Sequence, residues 1–278
     1  MFNYIITNIY NRKALYEKEL HTSLEWIEGN ATGKRIRSVL FYSFANKTND
    51  LIHKTTAIIE SIHNASIIHD DVIDNNNMRR SDSSYYKLFG AKRSILDGDF
   101  LLVKSIKKIF EIYKDDYIKR LFLRECEATA YGAIMEQTLN KSNYVNFNQY
   151  VRMASLKTGS LFKLSCFLGE FLSRPESSNS FKKAKEAAIF GICFGIIYQI
   201  QNDLNSYVHE KFENSEDYVQ KNITFPIIVG NLDIKSFKNS SNQKEYELIK
   251  NMIDSKEFYK KSLELTKKYT EKIRIWPR

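Results

Sequence analysis

Residues 52–74 read IHKTTAIIESIHNASIIHDDVID, and the apolar part of that stretch, 52–68, decides the fold. Its apolar residues recur three and four positions apart, the period that lays one face of an α-helix against a core. The same period runs through 95–113, 118–139, 151–172, 181–207 and 246–273. Polar breaks rich in Asn, Ser and Asp separate these runs, at 46–50, 75–84, 140–146, 173–180, 209–222 and 238–243. No break is long enough to link separate domains, and no solenoid-length repeat is present. Residues 1–278 are therefore expected to form a single all-α domain, a helix bundle. The 10 glycines and 3 prolines agree, because hairpins and strand-to-helix turns would consume more of both.

A net charge of +9 suits several anionic partners but selects none of them. Most lysines alternate with glutamates, as at 244–247 and 267–272, which is how solvated helix faces read. Cys126, Cys166 and Cys193 are odd in number and lack ligand spacing, so reduced thiols are expected rather than a disulfide or a zinc site. Residues 1–13 carry neither a sufficient apolar run nor a cleavage site; they are expected to form a first helix, in a cytoplasmic protein without a transmembrane segment.

The chemistry concentrates at Asp70-Asp71-Val72-Ile73-Asp74. On a helix Asp70 and Asp74 share a face and Asp71 lies beside them, so three carboxylates are expected to converge. Such crowding calls for a cation, and Mg²⁺ accepts one or two carboxylates while leaving room for water and phosphate oxygens. Cations flank the cluster: His63 lies seven residues upstream, Arg79-Arg80 follow it, and Lys34, Arg35 and Arg37 precede it. Arginine forks match phosphate oxygens, so a diphosphate held from both sides is the expected ligand. Residues 29–34 miss the spacing of an ATP-binding phosphate loop, and Arg35 stands where its Ser or Thr belongs. Nucleic acid is not expected, because the cations surround an acidic centre. Downstream, Asn202, Ser206 and Glu210 are four apart, and on a continuing helix would share a face as a second set of oxygen ligands.

With these motifs in order, the chain resembles the trans-isoprenyl diphosphate synthases over nearly its whole length. Gly33-Lys34-Arg35-Ile36-Arg37 resembles the GKxxR segment, and Ile62-His63-Asn64-Ala65-Ser66 with Asp70, Asp71 and Asp74 resembles the first aspartate-rich motif. Arg79-Arg80, Lys157-Thr158-Gly159-Ser160-Leu161-Phe162, Tyr198-Gln199-Ile200 and Thr224-Phe225-Pro226 match later landmarks. The resemblance implies an antiparallel bundle around a deep central cavity, a homodimer, and two diphosphates held by about three Mg²⁺ ions. It assigns Lys34, Arg37, His63, Arg80 and Lys221 to substrate, with isopentenyl diphosphate on the first four. Arg79, Lys157, Thr158 and Gln199 fall to the allylic diphosphate. Asp70 and Asp74 would hold metal, and Asp70, Asp71, Asp74, Arg79, Lys157 and Gln199 make the implied catalytic set.

The implied reaction is condensation of isopentenyl diphosphate with an allylic diphosphate, most naturally farnesyl. Ala65 and Ser66 are small, so no aromatic plug stands before Asp70, and the motif is most similar to the eukaryotic-type geranylgeranyl diphosphate synthases. Phe100, Phe162 and Phe167 are alternative floors for a product cavity. The second motif departs from the family: Asn202 replaces an aspartate, Lys221 is one place early with Asn222 in the family position, and Ser81 replaces a glycine. Ala133-Ile134-Met135 also lacks the usual Gly and Gln before Glu136 or Gln137. Asn202, Ser206 and Glu210 instead fit the NDxxSxxxE metal motif of class I terpene synthases, an alternative that ionises a prenyl diphosphate alone. A noncatalytic synthase subunit is the third alternative.

Overall fold

The computed structural model describes residues 34–45, 48–79, 82–174 and 179–274. The expected first helix, Gly33, Arg80 and Ser81 lie outside them. The fold is all-α, apart from one two-stranded hairpin among the described residues. Most polar breaks end on a side chain that caps the next helix.

Helix α1 is Ile36–Phe44 and α2 is Asp50–Ile73, with the Asn49 carboxamide accepting from the Ile52 amide at 2.9 Å. Strands β1 (Met78–Arg79) and β2 (Asp82–Ser83) pair antiparallel, and Ser84 caps α3, Tyr85–Ile112. Helix α4 is Asp116–Lys141. Asn146 and Gln149 form a reciprocal capping box on α5, Phe147–Ala154. A π-helical turn, Ser155–Gly159, runs into α6, Ser160–Ser173. Helix α7 is Ser180–Asn205, and five helices follow: α8 (Glu216–Val219), α9 (Phe225–Val229), α10 (Ile234–Asn239), α11 (Gln243–Ile253) and α12 (Lys256–Arg274). The run at 246–273 is thus two helices, and 151–172 is interrupted by the π turn. By length and composition α7 is apolar enough to cross a membrane, and 61% of its most apolar window is buried inside the protein.

The chain divides into two compact units, with boundaries inside α4 and α7 and at the start of α6. The first unit comprises the described residues up to Glu127, with Leu161–Gly191. Here α1 packs on α2 through buried Glu60, which accepts from the Ser38 amide at 2.9 Å and its hydroxyl at 2.7 Å. Helix α3 lies along α2, and Gly98 leaves the space that the His69 ring occupies there, a Cβ falling 2.4 Å from Nε2. Phe167, Phe171 and Phe181 cluster by stacked and edge contacts, and Lys163 Nζ reaches buried Glu125 at 2.6 Å.

The second unit comprises Ala128–Ser160 and the described residues from Ile192. Its core is aromatic: Phe225 meets Phe147, Tyr150 and Phe258, while Tyr218 meets Phe237 and Tyr246. Rings carry large apolar area, and the tyrosine hydroxyls need partners when buried. The Tyr218 hydroxyl donates to Glu245 at 2.6 Å, and that of Tyr150 to Asp203 at 2.7 Å.

Candidate active site

In the first unit, α2 ends at its aspartates. Asp70 lies in the last turn, and Asp74 follows the helix as its C-cap, both half-buried. Asp71 departs from the expected convergence. It is 1% exposed, and Arg79 Nη1 on β1 sits 2.6 Å from its Oδ1. Burial pushes the Asp71 carboxyl upward and the guanidinium pulls it back, with a net upward shift. The geometry of a close, buried charge pair makes Asp71 a clamp on the hairpin. Arg79 spends one fork of its guanidinium on that clamp.

No group of three or more His, Cys, Asp or Glu side chains capable of holding a metal occurs among the described residues. Asp70 and Asp74 remain as hard oxygen donors at one helix end. That pair fits Mg²⁺, which takes one or two carboxylates and completes its octahedron with water and phosphate oxygens. Lys34 is exposed just before α1, and Arg37 is buried with its guanidinium 4.5 Å from the Phe162 ring centre. Because Glu60 pins Ser38, the start of α1 is held one helical turn from His63, which is half-buried on α2. Ala65 is packed in the core, whereas Ser66 is half-buried and its hydroxyl donates to the His63 carbonyl at 2.8 Å. Of the three alternative floor residues, Phe162 and Phe167 are buried and Phe100 is exposed.

In the second unit, Lys157 and Thr158 sit on the π turn, a feature that widens a helix locally and recurs at functional sites. The turn can lie close on α4 because Gly132 faces it: a Cβ there would fall 2.1 Å from the Lys157 backbone nitrogen. One turn along α4, Glu136 accepts from Lys157 Nζ. Thr158 donates its hydroxyl to Gln199 Oε1 at 2.7 Å, and Gln199 Nε2 donates to Asp203 Oδ1 at 2.9 Å. Asp203 Oδ2 also accepts from the Tyr150 hydroxyl at 2.7 Å and the Phe225 amide at 2.8 Å. Only 3% exposed, its carboxyl is pushed up to about 7 by burial, and the Asp217 charge adds to the shift.

The second motif also departs from expectation. Helix α7 ends at Asn205, so Glu210 is not on a continuation of the Asn202 and Ser206 face. Asn202 and Glu210 are exposed; Ser206 is half-buried and donates to Asp217. The one-face argument for the terpene-synthase motif is therefore corrected. The Lys221 ammonium lies 3.7 Å from the Tyr218 ring centre, 4.5 Å from that of Phe237 and 3.4 Å from Glu245. Asn222, in the family's lysine position, donates to Asp217 at 3.0 Å and accepts from Asn140 at 2.8 Å. Asp203 was read only as part of the second motif, and Asp217, Gly132 and Tyr150 were not singled out from the sequence. The spacing of those three carries no local signal, since each acquires its role from residues on other elements.

The family model for polyprenyl synthetase matches residues 18–269. The chain belongs to the polyprenyl synthetase family. Among curated relatives, geranylgeranyl diphosphate synthase of Saccharolobus solfataricus is 28% identical over 76% of this chain and 66% of its own length. Decaprenyl-diphosphate synthase of Dictyostelium discoideum is 35% identical over 63% of this chain and 38% of its own. The chain thus spans about two fifths to about two thirds of the length of these two relatives. A polyprenyl synthase from Caulobacter crescentus CB15, solved with calcium and isoprenyl diphosphate, superposes with a TM-score of 0.79. It is 19% identical, over 96% of this chain and 90% of that one, and supports the fold assignment. Members of the family generally use Mg²⁺.

Proposed function

We propose that this protein is a Mg²⁺-dependent prenyltransferase that condenses isopentenyl diphosphate with an allylic diphosphate, farnesyl diphosphate first among candidates, to give geranylgeranyl diphosphate. The observation that carries the reading is the pair Asp70 and Asp74, two carboxylates one helical turn apart at the end of α2, beside the inward-turned Asp71. Mg²⁺ bound there supplies Lewis acidity to the leaving diphosphate. Lys157 brings positive charge to the allylic diphosphate, with Thr158 and Gln199 beside it on the same hydrogen-bond chain. Lys34, Arg37 and His63 serve isopentenyl diphosphate, as does Arg80, outside the described residues. The allylic carbon–oxygen bond breaks with its electron pair leaving on diphosphate; the isopentenyl double bond attacks that carbon, and a proton is then lost. Water has to be kept from the allylic cation, or an alcohol forms instead.

Ser66, small and half-buried, supports a product longer than farnesyl, and relatives named for geranylgeranyl and decaprenyl products span the range to be tested. A homodimer is part of the proposal. Leu96, Phe100, Val103 and Phe110 are exposed along α3 at spacings of four, three and seven, as an interface between two copies of a helix requires. Sedimentation should give a dimer for the native chain and a monomer for Leu96→Glu; a native monomer would remove that part. The decisive assay incubates purified protein with Mg²⁺, farnesyl diphosphate and labelled isopentenyl diphosphate, followed by phosphatase. Labelled geranylgeraniol is expected. A hydrocarbon formed without isopentenyl diphosphate would overturn the reading.

A further inference from the structure

Asp203 occupies a position where an acidic residue of a metal motif is expected to face a cation, yet both of its oxygens are engaged by the protein's own donors. It is 3% exposed, and its two oxygens accept from Gln199, Tyr150 and the Phe225 amide at 2.9, 2.7 and 2.8 Å. Three donors on a buried carboxylate are a satisfied set, and removing any of them leaves a polar group stranded. The consequence runs outward. With its Nε2 fixed on Asp203, Gln199 presents Oε1 to Thr158, which must donate. One carboxylate thereby sets both the orientation of an amide and the direction of a hydroxyl proton.

We propose that Asp203 is a positioning residue, which acts on substrate through Gln199 and Thr158 and is not a metal ligand. The proposal rests on the reading of Thr158 and Gln199 as allylic-diphosphate residues. In Asp203→Asn, the two donors converging on Oδ2, Tyr150 and Phe225, hold the amide oxygen. The new NH₂ then faces Gln199, whose amide must turn, and Thr158 meets a donor where it had an acceptor. Misplacement of this kind costs on the order of a hundredfold in rate.

The test compares wild type with Asp203→Asn, Thr158→Val, their double variant and Asp70→Ala. It measures kcat together with the thermal shift produced by inorganic pyrophosphate as Mg²⁺ is titrated. Asp203→Asn and Thr158→Val should each lose about a hundredfold in kcat, and the double variant should lose no more than about twofold beyond the worse single, because both break one chain. Half-saturating Mg²⁺ should stay within about twofold of wild type in Asp203→Asn, and rise about tenfold or more in Asp70→Ala. A tenfold rise in Asp203→Asn, or losses that multiply, overturns the proposal. If the wild type transfers no prenyl group, the functional reading fails, and the pyrophosphate shift decides the proposal. At saturating Mg²⁺ the two single variants must then lose equal shift and the double variant no more, whereas unequal or additive losses overturn it. Should Asp203→Asn fail to fold, Gln199→Leu removes the middle link and takes its place in the cycle.

Discussion

Asp71 and Asp203 each stand second in a motif pair, Asp70-Asp71 closing α2 and Asn202-Asp203 lying near the end of α7, and both are buried. Asp71 is met by a cation, the Arg79 guanidinium at 2.6 Å. Asp203 is met by three neutral donors, and burial pushes its carboxyl up to about 7. A buried charge paired with a guanidinium is a strut between two elements, here helix and hairpin, and depends on both partners being present. A buried carboxylate fed by neutral donors instead fixes the orientation of every group that feeds it, and so it transmits geometry more than it carries charge. In each motif the inward aspartate orders its surroundings, and the first residue of the pair, Asp70 or Asn202, is the more exposed one.

The comparison breaks most directly at Asp70. Under the proposed function, Asp70→Ala should lower kcat by about a thousandfold or more while the melting temperature moves by less than about 2 °C, because it removes a metal donor and little packing. Near-normal turnover would exclude the metal assignment. Arg79→Ala should do the reverse in kind, costing on the order of 3 kcal/mol, or about 6–10 °C in melting temperature, by stranding Asp71; the partly exposed guanidinium keeps this below the fully buried limit. Adding Asp71→Asn to Arg79→Ala should recover part of that loss, and strict additivity in denaturant titrations would show that the pair is no strut. The smallest effect is expected from Tyr150→Phe, which takes one of three donors from Asp203. A loss of about 1–2 kcal/mol is expected, with kcat within about threefold of wild type, since Gln199 keeps its own bond to the carboxylate. A kcat collapse equal to that of Asp203→Asn would mean that Tyr150 shares the positioning role.

The all-α fold was legible in the sequence because helix periodicity is local: an apolar residue every three or four positions reports one buried face whatever that face meets. The breaks were legible for the same reason, and Asn49, Ser84, Asn146 and Asn242 cap the helices that follow them. The candidate residues around Asp70 and Lys157 could be read from motif order. Their contacts could not. Arg79 is eight positions from Asp71, whereas Tyr150 and Phe225 reach Asp203 from 53 and 22 positions away. The π turn under Lys157 depends on the absent Cβ of Gly132, on another helix. Where α7 stops, and so whether Glu210 extends its ligand face, depends on the partners of the chain beyond Asn205: Ser206 donates to Asp217, and the Glu210 carbonyl accepts from Gln243 at 3.0 Å.

Sequence alone therefore determined the helical class, most of the long helices and the family's motifs, all of which follow from preferences expressed within a few residues. Only the tertiary structure decided which aspartates turn inward and that Lys221 faces Glu245 and two aromatic rings. Burial and hydrogen-bond satisfaction are properties of residues distant in the chain, and they settle the role of a charged side chain more strongly than its neighbours in sequence do.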